Sequence, residues 1–166
     1  ESCTGGMIAQ RITSVSGSSE VFGYGFVTYW AEAKTRLVGV QPEVIERYNV
    51  VSAPVAAQMA LGAAQASGSD IAVSVTGLAG PGGGDAVRPV GTVYLGAARG
   101  GTVYVQKLFV SRPDRALVRA RAAQAALTLA LRLAQGKVPA HTKPLAAAQQ
   151  QDEAALAALN EAFLAE

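Results

Sequence analysis

The chain has 166 residues, half of them hydrophobic and only 6% aromatic, which suits one domain with its own core plus a tail and excludes two ordinary domains. Its single cysteine, Cys3, excludes an internal disulfide and a cysteine-built zinc cluster. A net charge of +2, with 12 basic and 8 acidic residues before Gly136, excludes the strongly basic surface that nucleic acid requires and leaves room for a small anionic ligand.

The first stretch, Glu1-Ser2-Cys3-Thr4-Gly5-Gly6, precedes the apolar-periodic run that starts at Met7. This predicts a loop feeding a short helix over residues 7–15. The amides of Thr4, Gly5 and Gly6 at such a helix N-terminus are expected to face an anion or developing oxyanion, with Ser2 beside it. The same pattern also serves as a plain N-cap. Residues 21–30 are β-branched and aromatic between glycines and predict a strand. Helical turns are expected over 31–37 and 42–48, and Ser52 opens a longer helix through 66. Residues 70–76 read as a strand covered on both faces. They run into 77–84, five glycines in eight residues, a loop whose backbone can approach a ligand closely. Strands over 90–98 and 102–110 form a hairpin about Arg99-Gly100-Gly101.

Asp114 then opens a long helix to about residue 134, with Arg115, Arg119 and Arg121 in its first two turns. Cations are misplaced at that end of a helix dipole, so a phosphate is one reason for them and a solvated face the other. Residues 137–151, with Pro139 and Pro144, read as a linker. Residues 152–166 form an amphipathic helix too short to stand alone in water, so it should dock. This order predicts an α/β three-layer sandwich, a mixed β-sheet flanked by helices.

The one histidine, His141, lies in the linker, which argues against a Ser-His-Asp triad and a His-ligated metal. A nucleophilic Ser2 then needs another base, and lysine is the known substitute. Only Lys34 and Lys107 precede Gly136. A lysine with its ordinary pKa of about 10.4 is a poor base, so burial or neighbouring cations must lower it. The plain alternatives are an exposed Lys34 paired with Glu32 and a core Tyr29. Cys3 ranks behind Ser2 as a nucleophile and otherwise packs behind the loop.

With these residues assembled, the chain resembles the CinA C-terminal-domain family, whose characterised members are nicotinamide-nucleotide amidohydrolases. The matching blocks are Glu1-Ser2-Cys3-Thr4-Gly5-Gly6, Gly17-Ser18-Ser19, Val27-Thr28-Tyr29 with Glu32-Ala33-Lys34, Val51-Ser52, Thr76 through Gly84, Pro89-Val90-Gly91-Thr92-Val93, and Asp114-Arg115. The resemblance implies a serine amidohydrolase that converts nicotinamide mononucleotide to nicotinate mononucleotide and ammonia. In it Ser2 matches the nucleophile, Lys34 the base and Tyr29 the tyrosine that assists. To these the physical reading adds Thr4, Gly5 and Gly6 as amide donors, Thr76, Gly77 and Gly80 in the loop over the nucleotide, and Arg115 and Arg119 on its phosphate.

The expectation is a catalytic unit over 1–136 with no metal or cofactor, in a homo-oligomer. With no apolar run of membrane-spanning length and no signal peptide, it is expected to be cytoplasmic, acting on a small-molecule nucleotide and on neither membrane nor nucleic acid. Family members carry a helix and strand before the Glu-Ser-Cys motif, so Glu1 is not expected to be the biological start; the helix over 152–164 could stand in for the missing one. Trp30-Ala31 stands where Ser-Asn is usual, and Arg112-Pro113 departs from the pattern before Asp-Arg. The rival reading is a non-catalytic nucleotide-binding or regulatory domain of a larger protein.

Overall fold

The computed structural model describes residues 1–165. Four strands, β1 (Ile71–Gly77), β2 (Thr92–Arg99), β3 (Thr102–Phe109) and β4 (Lys143–Ala146), form one sheet in the order β1-β2-β3-β4. Gly100 and Gly101 close the two-residue β2–β3 hairpin at φ +57° and +77°, backbone that a Cβ would strain. A mixed sheet was the expectation; all three described pairings are antiparallel.

Alternation along β2 assigns the two faces. Tyr94 and Ala98, with Val103 and Val105 of β3, pack beneath Val55, Ala56, Met59 and Ala60 of α4 (Ala53–Ser67). Val93, Leu95 and Ala97, with Val75 of β1, pack against Val118, Ala122, Ala126 and Leu129 of α5 (Arg115–Ala134) and Ile8 of α1 (Met7–Thr13). The result is three layers, with α2 (Ala31–Val38) and α3 (Pro42–Tyr48) flanking α4.

Missing side chains let the layers close. A Cβ at Gly96 would lie 2.6 Å from the Ala56 carbonyl oxygen, and one at Gly62 only 1.7 Å from that of Val38. Glycine at these two positions allows α4 to touch both the sheet and α2.

Residues 21–30 do not form the expected strand. They run extended with little pairing: Thr28 N–H donates to the Glu1 carbonyl at 2.8 Å, and Phe26 accepts from Glu1 N at 2.6 Å. Val21, Tyr24, Val27, Tyr29 and Trp30 stay exposed. Propensity describes single residues, whereas a strand also needs a neighbour to take its N–H and C=O groups.

The tail is part of the core. Within the stretch read as a linker, β4 pairs with β3, Val103 opposite Leu145, and Pro144 is tolerated because β4 is an edge strand. The expected terminal helix, α6 (Glu153–Leu164), docks on α4 and β4 through buried Leu156, Leu159 and Phe163. The Phe163 ring meets Tyr94 edge-on at 6.0 Å, and Lys107 Nζ donates to the Phe163 carbonyl at 2.7 Å. Gln58 Nε2 of α4 donates to the Gln150 carbonyl at 2.7 Å, and Arg47 pairs with Glu153. None of the helices among the described residues is long and apolar enough to cross a membrane.

Phe163 is 1% exposed, so Phe163→Ala is expected to cost about 3 kcal/mol through the cavity it leaves, read as a lower urea midpoint. A midpoint equal to that of the unsubstituted chain would mean that the tail packs elsewhere in solution.

Candidate active site

Ser2 is delivered by a short extended piece and a tight turn. Its N–H donates to the Val75 carbonyl of β1 at 3.0 Å, while Glu1 pairs with Phe26 and Thr28. The chain then reverses through Gly5 and Gly6, at φ +55° and +97°, into α1. Gly5 N–H returns to the Ser2 carbonyl at 2.9 Å, and Met7 N–H to that of Thr4 at 3.1 Å.

The start of α1 has an anion, and it belongs to the protein. Glu1 Oε2 accepts from the Gly6 and Ile8 amides at 3.1 and 3.0 Å, and Oε1 from Ala9 at 2.9 Å. Burial by itself raises the pKa of this half-buried carboxyl, but the Ala9 amide, the neighbouring Thr4 hydroxyl and the Ile8 amide together outweigh it, and the net shift is downward. Of the three turn amides expected to face a ligand, Gly5 and Gly6 therefore serve the turn itself. Thr4 N–H has no acceptor among the described residues, and Thr4 is buried. The role of Glu1 escaped sequence reasoning, although a signal was present: α1 has no acid in its own first turn, and a carboxylate stands just before the glycines that lead into it.

Lys34 lies on the inward face of α2 with Val38 and is fully buried. Its Nζ donates to the Thr28 carbonyl at 2.6 Å and to Ser2 Oγ at 3.1 Å. Loss of water around the ammonium lowers its pKa to about 8. A buried amine so poised beside a hydroxyl can take that hydroxyl's proton near neutral pH and return it to a leaving group. The other body lysine, Lys107, instead holds the tail through Phe163. Cys3 is buried among Ile8 and Val75, and burial pushes its thiol up to about 11, away from the reactive thiolate.

The remaining residues fall into two groups. Arg115, exposed at the start of α5, donates from Nη1 to the Gly80 carbonyl at 2.8 Å and from Nη2 to the Tyr29 hydroxyl at 2.9 Å. It thereby joins the glycine-rich loop to the segment before α2. Arg119, one turn further on, is half-buried and donates from Nε to the Cys3 carbonyl at 3.0 Å and from Nη2 to that of Thr4 at 3.1 Å. Thr76 turns its hydroxyl inward to the Val50 carbonyl at 2.8 Å, and Gly77 sits where a Cβ would lie 2.8 Å from Val93. Both shape the exit of β1. The loop itself is pinned at its base, where Leu78 N–H reaches the Thr92 carbonyl and Gly91 N–H the Leu78 carbonyl. Asp85 closes a turn within it by accepting from the Val87 and Arg88 amides.

A family model described as the CinA C-terminal domain matches residues 1–134. Over 133 residues the chain is 51% identical to a protein of Enterobacter agglomerans named nicotinamide-nucleotide amidohydrolase PncC, covering 80% of each. It is 52% identical over 128 residues to a CinA-like protein of Akkermansia muciniphila, covering 76% of this chain but spanning only 31% of that longer relative. Among solved structures, the competence/damage inducible protein CihA from Agrobacterium tumefaciens is similar at TM-score 0.78 and 43% identity, over 81% of this chain and 82% of that one. A CinA superfamily protein from Escherichia coli follows at TM-score 0.75 and 36% identity, over 80% and 76%.

Because the folded pKa of Glu1 lies below its ordinary 4.5, its contribution to stability is complete above that pH and is lost as pH falls through the lower folded value. Glu1→Gln, which loses acceptor capacity for these amides, is expected to destabilise by about 1 kcal/mol at neutral pH. It should also flatten the acid side of the stability curve, measured by thermal melts from neutral to acid pH. An unchanged acid limb would remove Glu1 from this role.

Proposed function

The chain belongs to the CinA C-terminal domain family, and on that premise we propose that it is a serine amidohydrolase that hydrolyses the carboxamide of nicotinamide mononucleotide to nicotinate mononucleotide and ammonia. The observation that carries this reading is the buried Lys34 amine 3.1 Å from Ser2 Oγ. The amidohydrolase relative from Enterobacter agglomerans, matched over four-fifths of each chain, supports the substrate.

In the proposed reaction Ser2 Oγ attacks the carboxamide carbon while its proton passes to Lys34 Nζ. The oxyanion so formed falls to the Thr4 amide, which has no acceptor among the described residues. Lys34 then protonates the departing nitrogen, ammonia leaves, and Ser2 carries a nicotinoyl ester. Water attacks that ester with Lys34 again as base, and the carboxylate product is released. Tyr29 assists from the rim, its hydroxyl oriented by Arg115. The loop from Gly77 through Gly80 covers the nucleotide, and Arg115, whose guanidinium keeps N–H groups beyond its two protein bonds, takes the phosphate. The proposal needs no cofactor and describes a cytoplasmic homo-oligomer, its catalytic unit within residues 1–136. A domain that only bound nucleotides would have no use for a serine joined to a buried lysine.

Ammonia release from nicotinamide mononucleotide is expected for the chain and is expected to be abolished in Ser2→Ala and Lys34→Ala. Bound nucleotide without turnover in the unsubstituted chain would replace this reading with the binding-domain one. Since Lys34 must be deprotonated to act and its pKa is held at about 8, kcat/KM should rise about tenfold per pH unit below that value and level off above it. A profile flat between pH 6.5 and 9, on the order of the span needed to see this limb, would exclude Lys34 as the base. Arg115→Ala should raise KM for the nucleotide by about tenfold or more; an unchanged KM removes its phosphate role.

A further inference from the structure

We propose that Arg119 is a positioning residue for the nucleophile, a clamp on the turn that carries Ser2 rather than a ligand for the substrate phosphate. The inference rests on the amidohydrolase reading for its substrate but not for its geometry. Nε and Nη2 lie on one edge of the planar guanidinium, and both are engaged by the two carbonyls that follow Ser2, Cys3 at 3.0 Å and Thr4 at 3.1 Å. That edge is the one best matched to two oxygens of a phosphate, so the turn already occupies it.

The turn has reason to need the clamp. Gly5 and Gly6 both hold left-handed backbone, which leaves the segment without side-chain packing of its own at its sharpest point. A Cβ built on Gly5 would have Arg119 Nη2 as its nearest neighbour, at 3.6 Å. Glu1 restrains the α1 side of the turn through three amides, and Arg119 restrains the α5 side through two carbonyls. Ser2 stands between them, and its 3.1 Å approach to Lys34 depends on where the turn lies. Arg119 lies on α5 between the buried residues Val118 and Ala122 and is itself half-buried. A cation in the first turns of α5 opposes the helix dipole, and two carbonyl acceptors supply the reason for it.

The experiment compares the unsubstituted chain with Arg119→Ala and Arg119→Lys. Steady-state turnover of nicotinamide mononucleotide and of its phosphate-free nucleoside is measured beside the rate at which a fluorophosphonate labels Ser2, with melting temperatures recorded for each protein. Labelling needs an aligned serine but no nucleotide. In Arg119→Ala, kcat and the labelling rate are expected to fall together by about 10- to 100-fold, with KM for the nucleotide within about threefold, because misplacing the nucleophile by a fraction of an ångström weakens attack rather than binding. Lysine, which can reach one of the two carbonyls, should restore part of both rates, and the loss should be equal for nucleotide and nucleoside. A rise in nucleotide KM with unchanged labelling would overturn the clamp in favour of a phosphate ligand. A lowered melting temperature with unchanged rates would overturn it in favour of a purely structural role. If the alanine variant does not fold, a lysine variant that labels as fast as the unsubstituted chain overturns it equally. A chain that labels at Ser2 but leaves the nucleotide intact would sink the substrate assignment alone, and one that neither labels nor turns over would sink both.

Discussion

An amine buried beside a hydroxyl is the constraint on which the site depends. Among the described residues Lys34 Nζ has no carboxylate partner; its two acceptors there are the Thr28 carbonyl and Ser2 Oγ. A surface lysine would keep its proton at neutral pH, and a lysine paired with an acid would keep it more firmly still. Loss of water around the buried ammonium has the opposite effect and brings the pKa to about 8. Everything near the site then has to hold two segments, residues 1–6 and 28–34, in register at a distance of one hydrogen bond.

That register is held from three directions. The sheet takes the Ser2 amide through Val75, the extended segment meets Glu1 through Phe26 and Thr28, and α5 reaches over with Arg115 and Arg119. Apart from the Tyr29 hydroxyl, every partner in these contacts is a backbone group. The arginines link elements more than 80 residues apart in sequence, since Tyr29 and Arg115 are separated by 86 positions and Cys3 and Arg119 by 116. A planar guanidinium suits this, because one side chain can satisfy two acceptors in a set geometry.

The layers behind the site stay close because small residues let them. Gly96 and Gly62 bring α4 against the sheet and α2, and α2 carries Lys34. The tail adds Leu145, Leu156, Leu159 and Phe163 to the cluster in which α4 is buried. The tail thus supports the helix that α2 leans on, although it lies outside the segment matched by the family model.

Several features were legible from residue order alone, and others required the folded chain. Local signals carried the α4 start at Ser52, the two-glycine hairpin, the β1 run and the long α5, because caps, turns and periodicity act within a few residues. The motif Glu1-Ser2-Cys3-Thr4-Gly5-Gly6 and the scarcity of lysines directed attention to Ser2 and Lys34 as separate points. Their 3.1 Å approach, the burial that lowers the pKa of the amine, and the engagement of Arg119 with the Cys3 and Thr4 carbonyls were decided only by tertiary structure. So were the lack of a ladder along residues 21–30 and the strand at Lys143–Ala146, since pairing belongs to two segments at once. The chain determined which groups were available; desolvation and long-range hydrogen bonds, which depend on every neighbour in space, decided how they are held and which of them can give up a proton.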